Sequence, residues 1–345
     1  MYLGKTAGRS CGTSRVSPNE SVSITGMSGT GKTSRMFKIE LEEVKRGNTV
    51  LVIDSGRTHL QREIFPGIRH EYIGLENRID AITDGLDLSL LSPLRSQDGK
   101  TESFVSFVNS AVQGLGSSFA LGVRQQGVLR EVVIEAVNYL QVARHISDVE
   151  ALVTVFERRK DAVRDLVYQK LWPVLHCNVL RPCTKPVLER RINIIDLSGV
   201  DMMTRIALTE MILAQIWRIV CFSGQVYASG NLTLVLDEYQ RLCIRKGSIL
   251  RCILTEGRKF RLNLLLGTQT LDIFPTETAS LLNQSATQLY FRPSASEVAK
   301  IAKRIDPVRL SYWSEKLRGL QVGECIAVGT KEVCGHEVSR PLVLI

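Results

Sequence analysis

Residues Gly26-Met27-Ser28-Gly29-Thr30-Gly31-Lys32-Thr33 have the spacing G-x4-G-K-[ST], and they follow directly on the apolar run Val22-Ser23-Ile24-Thr25. Each residue type in that pattern has a chemical reason. Glycines let backbone N–H groups turn inward around phosphate oxygens, a lysine at this position reaches the β- and γ-phosphates, and the threonine hydroxyl is a ligand for Mg²⁺. The composition from Lys32 to Lys45 favours a helix, whose positive N-terminus would face the same phosphates. The expected ligands are ATP and Mg²⁺. Their expected contacts are Gly26, Ser28, Gly29, Thr30, Gly31, Lys32, Thr33 and Ser34.

A second group of residues supplies the carboxylates such a site needs. Leu232-Thr233-Leu234-Val235-Leu236 reads as a buried strand that delivers Asp237 and Glu238 to its C-terminal tip, where ligands sit in open α/β sheets. Asp237 is placed to hold the metal with Thr33, and Glu238 to orient and activate a water. Gly267-Thr268-Gln269-Thr270 ends a further strand beginning at Leu262. An amide at that tip reaches a γ-phosphate or the lytic water, although a glutamine in a loop has the same appearance. Just before that strand stands Glu256-Gly257-Arg258-Lys259. Arg258 is either an arginine aimed at a phosphate on a neighbouring subunit or part of a basic surface turn, and spacing alone does not choose.

The elements that must position these residues alternate. Strands are expected at 22–25, 49–54, 192–197, 232–237, 262–266, 288–291 and, as the last, 324–328, with short strand-like pieces such as His70 to Ile73 in a mixed stretch. Helices are expected at 32–45, near 202–222, after Glu238 and near 296–304. This order implies an α/β fold with a mainly parallel sheet covered on both faces. Between about 102 and 179 the spacing is helical throughout, as in Phe104, Val108 and Val112 or Val128, Val132 and Val137. The organisation expected is a first core segment (1–100) whose residues 1–21 are a lead-in with at most a short strand, an all-helical insertion (101–180), and a second core segment (181–345). The insertion carries Arg158-Arg159-Lys160 and Arg164, a basic stripe that is either a solvated helix face or a nucleic-acid contact.

Composition narrows the classes. Lys plus Arg number 44 against 35 for Asp plus Glu, a net charge of +9, which suits a polyanionic partner such as nucleic acid. Aromatics are only 6% of residues, too few for a stacking platform for single strands. The eight cysteines form no C-x2-C pair, and a reducing compartment without a metal cluster is expected. No apolar leader precedes the first motif. The most apolar long stretch, Ile206 to Phe222, is interrupted by Glu210, Gln215 and Arg218, and reads as a buried helix instead of a membrane span.

Taken in order, GMSGTGKT, LVLDEYQRL, LTEGRKFRLNLLLGTQ and LLNQSATQLYFRPSASEVAKIAKR resemble the HerA–FtsK superfamily of P-loop ATPases. Within it they are similar to the ATPases of conjugation and type IV secretion and to the HerA-like helicases. The resemblance covers about residues 18–60 and 190–345, and implies a RecA-like core with a helical insertion of the conjugative kind. It also implies an arginine that acts across a subunit interface eleven residues before the glutamine that senses the γ-phosphate, the spacing of Arg258 and Gln269. With Lys32 and Glu238, these become the expected catalytic residues. A homohexameric ring threaded by DNA is implied, serving conjugative or mobile-element transfer, or else end processing, phage defence or genome packaging, with secretion or nuclease proteins as partners. A secretion-assembly ATPase that moves no DNA is the alternative of another class. The implied location is cytoplasmic, including the periphery of a membrane-embedded secretion complex. Coupling proteins of the family usually begin with membrane helices, and HerA with a β-barrel. The short stretch before Val22 is expected to make this a bare motor domain.

Overall fold

Four short runs of apolar and β-branched residues are buried along their whole length: β3 (Val22–Thr25), β4 (Thr49–Asp54), β7 (Leu232–Leu236) and β8 (Leu262–Thr268). Strands buried on both faces belong inside a parallel sheet covered by helices, and that is their setting in this computed structural model. The described residues are 1–13, 20–56, 58–59, 74–96, 98–143, 145–158, 161–183, 185–188, 191–224, 230–244, 247–271, 274 and 287–345. The strand-like stretch from His70 to Ile73 lies outside them.

Five more strands complete the main sheet: β5 (Glu76–Asp80), β6 (Ile192–Asp196), β9 (Thr287–Tyr290), β10 (Cys325–Gly329) and β13 (Leu342–Leu344). The order is β13-β10-β9-β3-β8-β7-β4-β6-β5. From β9 to β5 all neighbours run parallel, and β10 and β13 extend one edge antiparallel. The fold is therefore a RecA-like α/β core with β8 between the strand of the P-loop and the strand of Asp237.

Helix α1 (Lys32–Lys45) lies on one face of the sheet, where Phe37, Ile39 and Leu41 join Val22, Ile24, Val52 and Leu265 in one apolar cluster. The other face carries the larger cluster. There α2 (Phe104–Gly116), α3 (Val123–Val142), α4 (Asp148–Arg158) and α5 (Ala162–His176) follow one another between β5 and β6. Their apolar faces continue into α6 (Met202–Ser223) and the sheet without a break.

Helix α6 is long and apolar enough to cross a bilayer, yet most of its surface is packed inside the protein. The polar residues that interrupt it are internal ties. Arg218 forms a buried ion pair with Glu102 at 2.6 Å, and Glu210 accepts a hydrogen bond from the Cys243 N–H at 2.7 Å. Asp201 caps the helix by accepting from the N–H groups of Met203 and Thr204.

Three expectations need correction. Residues 1–21 are more than a lead-in. They contain β1 (Tyr2–Thr6) and β2 (Arg9–Thr13), which form a second, four-stranded antiparallel sheet with β11 (Lys331–Val333) and β12 (His336–Val338). The strand near 324–328 is not the last, because β11, β12 and β13 follow it. In the basic stripe of the insertion, Arg164 turns inward while Arg158 stays exposed. Arg164 is 1% exposed and bonded to Glu135 and the Val155 carbonyl, while the Arg158 guanidinium lies over the Tyr139 ring at 4.0 Å. Arg159 and Lys160 lie outside the described residues. Helix α7 (Ile249–Glu256) precedes β8, and beyond α8 (Val298–Ile305) the short sequence after Pro307 forms a further helix, α9 (Leu310–Gly319).

Candidate functional site

The register of the parallel strands fixes what stands beside what. Thr25 pairs with Thr268, Leu236 with Leu266, and Ile53 with Leu236. One residue further on, at the C-terminal edge of the sheet, Gly26 therefore faces Gln269, and Asp237 lies between Gly267 and Asp54.

The loop after β3 has the backbone its glycines allow. Gly29 and Gly31 adopt φ of 76° and 102°, a region unfavourable to side chains. Gly31 also lacks space for a Cβ, which would lie 2.9 Å from the backbone of Gly323. Lys32 sits inside the loop, its Nζ donating to the carbonyls of Gly26 at 2.6 Å and Met27 at 2.9 Å. Thr33 and Ser34 lie in the first turn of α1, whose N–H groups have no acceptor within the helix. These are free to meet an anion.

The carboxylates complete the arrangement. Glu238 takes a left-handed conformation (φ 56°), and its N–H donates to Asp237 Oδ1 at 2.9 Å. Its two carboxylate oxygens accept from Gln269 Nε2 and Gln240 Nε2, each at 2.6 Å. Burial pushes the Asp237 carboxyl above the ordinary carboxylate range, the charge of Glu238 pushes the same way, and Lys32 and His59 oppose them. Burial likewise lowers the Lys32 ammonium, against the pull of Asp237 and Glu238. Two carboxylates facing one lysine leave a site short of positive charge. The hard oxygens of Thr33 and Asp237 are the donor type that Mg²⁺ takes. The residues present fit a nucleotide with its metal.

The structure thus brings Lys32, Thr33, Asp237, Glu238 and Gln269 to one edge of the sheet. Arg258 is elsewhere. It is exposed on the 3-10 turn Gly257–Phe260 that precedes β8. The seven residues of β8 separate it from Gln269, a span of roughly 20 Å or more at a strand's rise.

Some residues of the site were not anticipated. Asp54, at the tip of β4, accepts from the N–H groups of Gly56, Thr58 and His59. The His59 ring lies between Asp54 and Glu40 of α1, its Nε2 3.1 Å from Glu40 Oε2. Arg35 of α1 bonds to the carbonyls of Leu3 and Gly323, joining the P-loop helix to β1 and to the segment after α9. Asp54 had a signal, since it ends an apolar strand at the edge where Asp237 stands. His59, Arg35 and Glu40 had none, because their partners come from distant parts of the chain.

The fold that carries this edge also occurs in known structures. VirB4 of Thermoanaerobacter pseudethanolicus superposes with a TM-score of 0.71 at 14% identity, over 100% of this chain and 95% of that one. The fold is that of VirB4 and of TrwB. The bacterial conjugative coupling protein TrwB in its unbound form gives a TM-score of 0.61 at 14% identity, covering 99% of this chain and 88% of that chain. TrwB in complex with ADP and Mg²⁺ gives 0.59 at 13% identity, covering 94% and 84%. No family model matches the sequence, and no curated protein sequence does.

Proposed function

We propose that the protein is an ATP-hydrolysing motor of the conjugation and type IV secretion kind, acting as a ring, with DNA as the polymer it moves. The observation that carries this reading is the hydrogen bond between Gln269 and Glu238 beside the P-loop lysine. It joins a γ-phosphate sensor to the base that orients water, a pairing that a mere nucleotide-binding fold does not need. The shared fold with VirB4 and TrwB supports it.

In this reading the N–H groups of the Gly29–Thr33 turn bind the phosphates, and Lys32 leaves the loop carbonyls to hold the β- and γ-oxygens. Thr33 and Asp237 would hold Mg²⁺, which would supply positive charge to neutralise the phosphates. Glu238 orients the attacking water and accepts its proton. Gln269, released from Glu238 by the γ-phosphate, reports whether that group is present. Arg258 would complete the site of a neighbouring copy.

The test is steady-state ATP hydrolysis across a protein concentration series, without DNA and with single- or double-stranded DNA. Lys32→Ala is expected to lose nucleotide binding or turnover. Glu238→Gln should bind ATP and turn over at about 10⁻² of the wild-type rate or less, as general-base losses do. Stimulation by DNA, weakened by salt as phosphate contacts are, supports the translocase. Turnover indifferent to DNA moves the reading to a secretion ATPase that works on protein, an alternative that the inward turn of Arg164 favours.

A further inference from the structure

The helical hairpin formed by α8 and α9 is fastened to the nucleotide site at three points. Where it begins, the Met27 N–H of the P-loop donates to the Arg292 carbonyl at 3.0 Å. Where it ends, the Gly323 N–H donates to the Thr30 carbonyl at 2.9 Å, and Arg35 holds the Gly323 carbonyl at 2.9 Å. The third point is Glu297, directly before α8. Its side chain is 2% exposed, and one carboxylate oxygen accepts from both Thr270 Oγ1 and the Leu271 N–H at 2.8 Å. The other oxygen accepts from Ser294 Oγ at 3.1 Å.

Thr270 and Leu271 immediately follow Gln269. On the strand side the same turn is closed by Thr268, whose hydroxyl donates to the Thr270 carbonyl at 2.9 Å. Leu271 then inserts into the apolar core of the hairpin with Val298, Ile301, Ala302 and Trp313. The turn that follows Gln269 is therefore linked to α8 by a buried carboxylate and a buried leucine.

We propose that Glu297 is a positioning residue that sets Gln269 against Glu238, and that through it the α8–α9 hairpin responds to the presence of the γ-phosphate. The proposal rests on the reading of Gln269 as the γ-phosphate sensor. The loss of Glu297 leaves the P-loop contacts untouched, so it should impair turnover while sparing nucleotide affinity. A glutamine at this position keeps an oxygen facing Thr270 and Leu271 and offers an N–H to Ser294.

The experiment compares wild type, Glu297→Ala, Glu297→Gln, Gln269→Ala and the double alanine variant by kcat and by affinity for a non-hydrolysable ATP analogue. Hydrogen exchange of residues 298–319 is followed in ADP and in the analogue. Glu297→Ala should lower kcat about tenfold, the size of an energetic coupling along such a path, with analogue affinity unchanged. Glu297→Gln should restore turnover, and the double variant should be no worse than Gln269→Ala alone. Exchange in the wild-type hairpin should differ between ADP and analogue, and Glu297→Ala should erase the difference. Additive losses, an equal fall in affinity, or a hairpin blind to nucleotide would each overturn the proposal. Should Glu297→Ala not fold, Thr270→Val removes one donor from the same carboxylate and must show the same split in smaller measure. A wild type that binds the analogue without hydrolysing ATP would sink the functional reading alone, while the exchange measurement would still judge the coupling.

Discussion

At the scale of single residues, the position of Asp237 depends on what Gly267 lacks. A Cβ there would stand 2.5 Å from Asp237 Oδ1 and 3.0 Å from Met36 Sδ, with its backbone at an ordinary φ. The glycine is needed for space and not for conformation. Gly267→Ala must displace the Asp237 carboxylate or push the strand away from α1. Overpacking of this kind costs about 1–3 kcal/mol, and a displacement near 1 Å in a catalytic group costs about 100-fold in rate. The expected variant is folded, melts several degrees lower, and hydrolyses ATP 10- to 100-fold more slowly. Wild-type turnover in this variant would mean that Asp237 does not hold the metal. The P-loop and Asp237-Glu238 are legible in the sequence because their spacing encodes their own geometry. The reason for Gly267 is not, because it depends on the register between β7 and β8.

At the scale of elements, His59 ties α1 to the tip of β4. Burial alone would lower its pKa, but the charge of Glu40 and the contact with Asp54 outweigh it and raise it to about 9. The unfolded histidine loses its proton near 6.5, so between the two values the folded chain holds a proton that the unfolded chain does not. The stabilisation is whole below pH 6.5 and drains away as pH rises through 9, by about 1.4 kcal/mol per pH unit. Lys331 acts in the opposite sense. Burial lowers its pKa from 10.5 to about 8, so its neutralisation adds stability at higher pH. Between pH 6.5 and 8 Lys331 stays largely charged. The Met1 ammonium, which burial holds below its usual 8.0, is common to wild type and variant, so the difference between the two reports the histidine. In thermal melts, the stability gap between wild type and His59→Gln should shrink across that window. A gap of constant size would show that the ring packs there without its charge. Elements like β3, β4 and β7 announce themselves as apolar runs. By contrast, β5 reads Glu76-Asn77-Arg78-Ile79-Asp80 and β2 reads Arg9-Ser10-Cys11-Gly12-Thr13. An edge strand and a small outer hairpin bury too little to leave a periodic signature.

At the scale of the whole molecule, the distance between Arg258 and its own P-loop decides how the site can be completed. The two lie at opposite ends of the β8 strand, and Arg258 is exposed to solvent. No rotamer of an arginine spans that gap, so an Arg258 that acts on phosphate must act on another copy. Closed rings built from one repeated interface place one edge of each subunit against the opposite edge of the next. The hypothesis predicts complementation. Arg258→Ala and Lys32→Ala should each be inactive alone, the first with intact phosphate binding and the second with an intact donated arginine. In a 1:1 mixture that exchanges subunits, a working site needs an Arg258→Ala subunit beside a Lys32→Ala neighbour, which random assembly supplies at about a quarter of interfaces. Hydrolysis should reappear at roughly that fraction of the wild-type rate. It should also vanish on dilution, because the site is lost with the interface. If mixing restores nothing while each variant still assembles with wild type, Arg258 belongs to a basic surface turn. The catalytic charge would then have to come from within the subunit, where the described residues hold Lys32 beside Asp237 and Glu238.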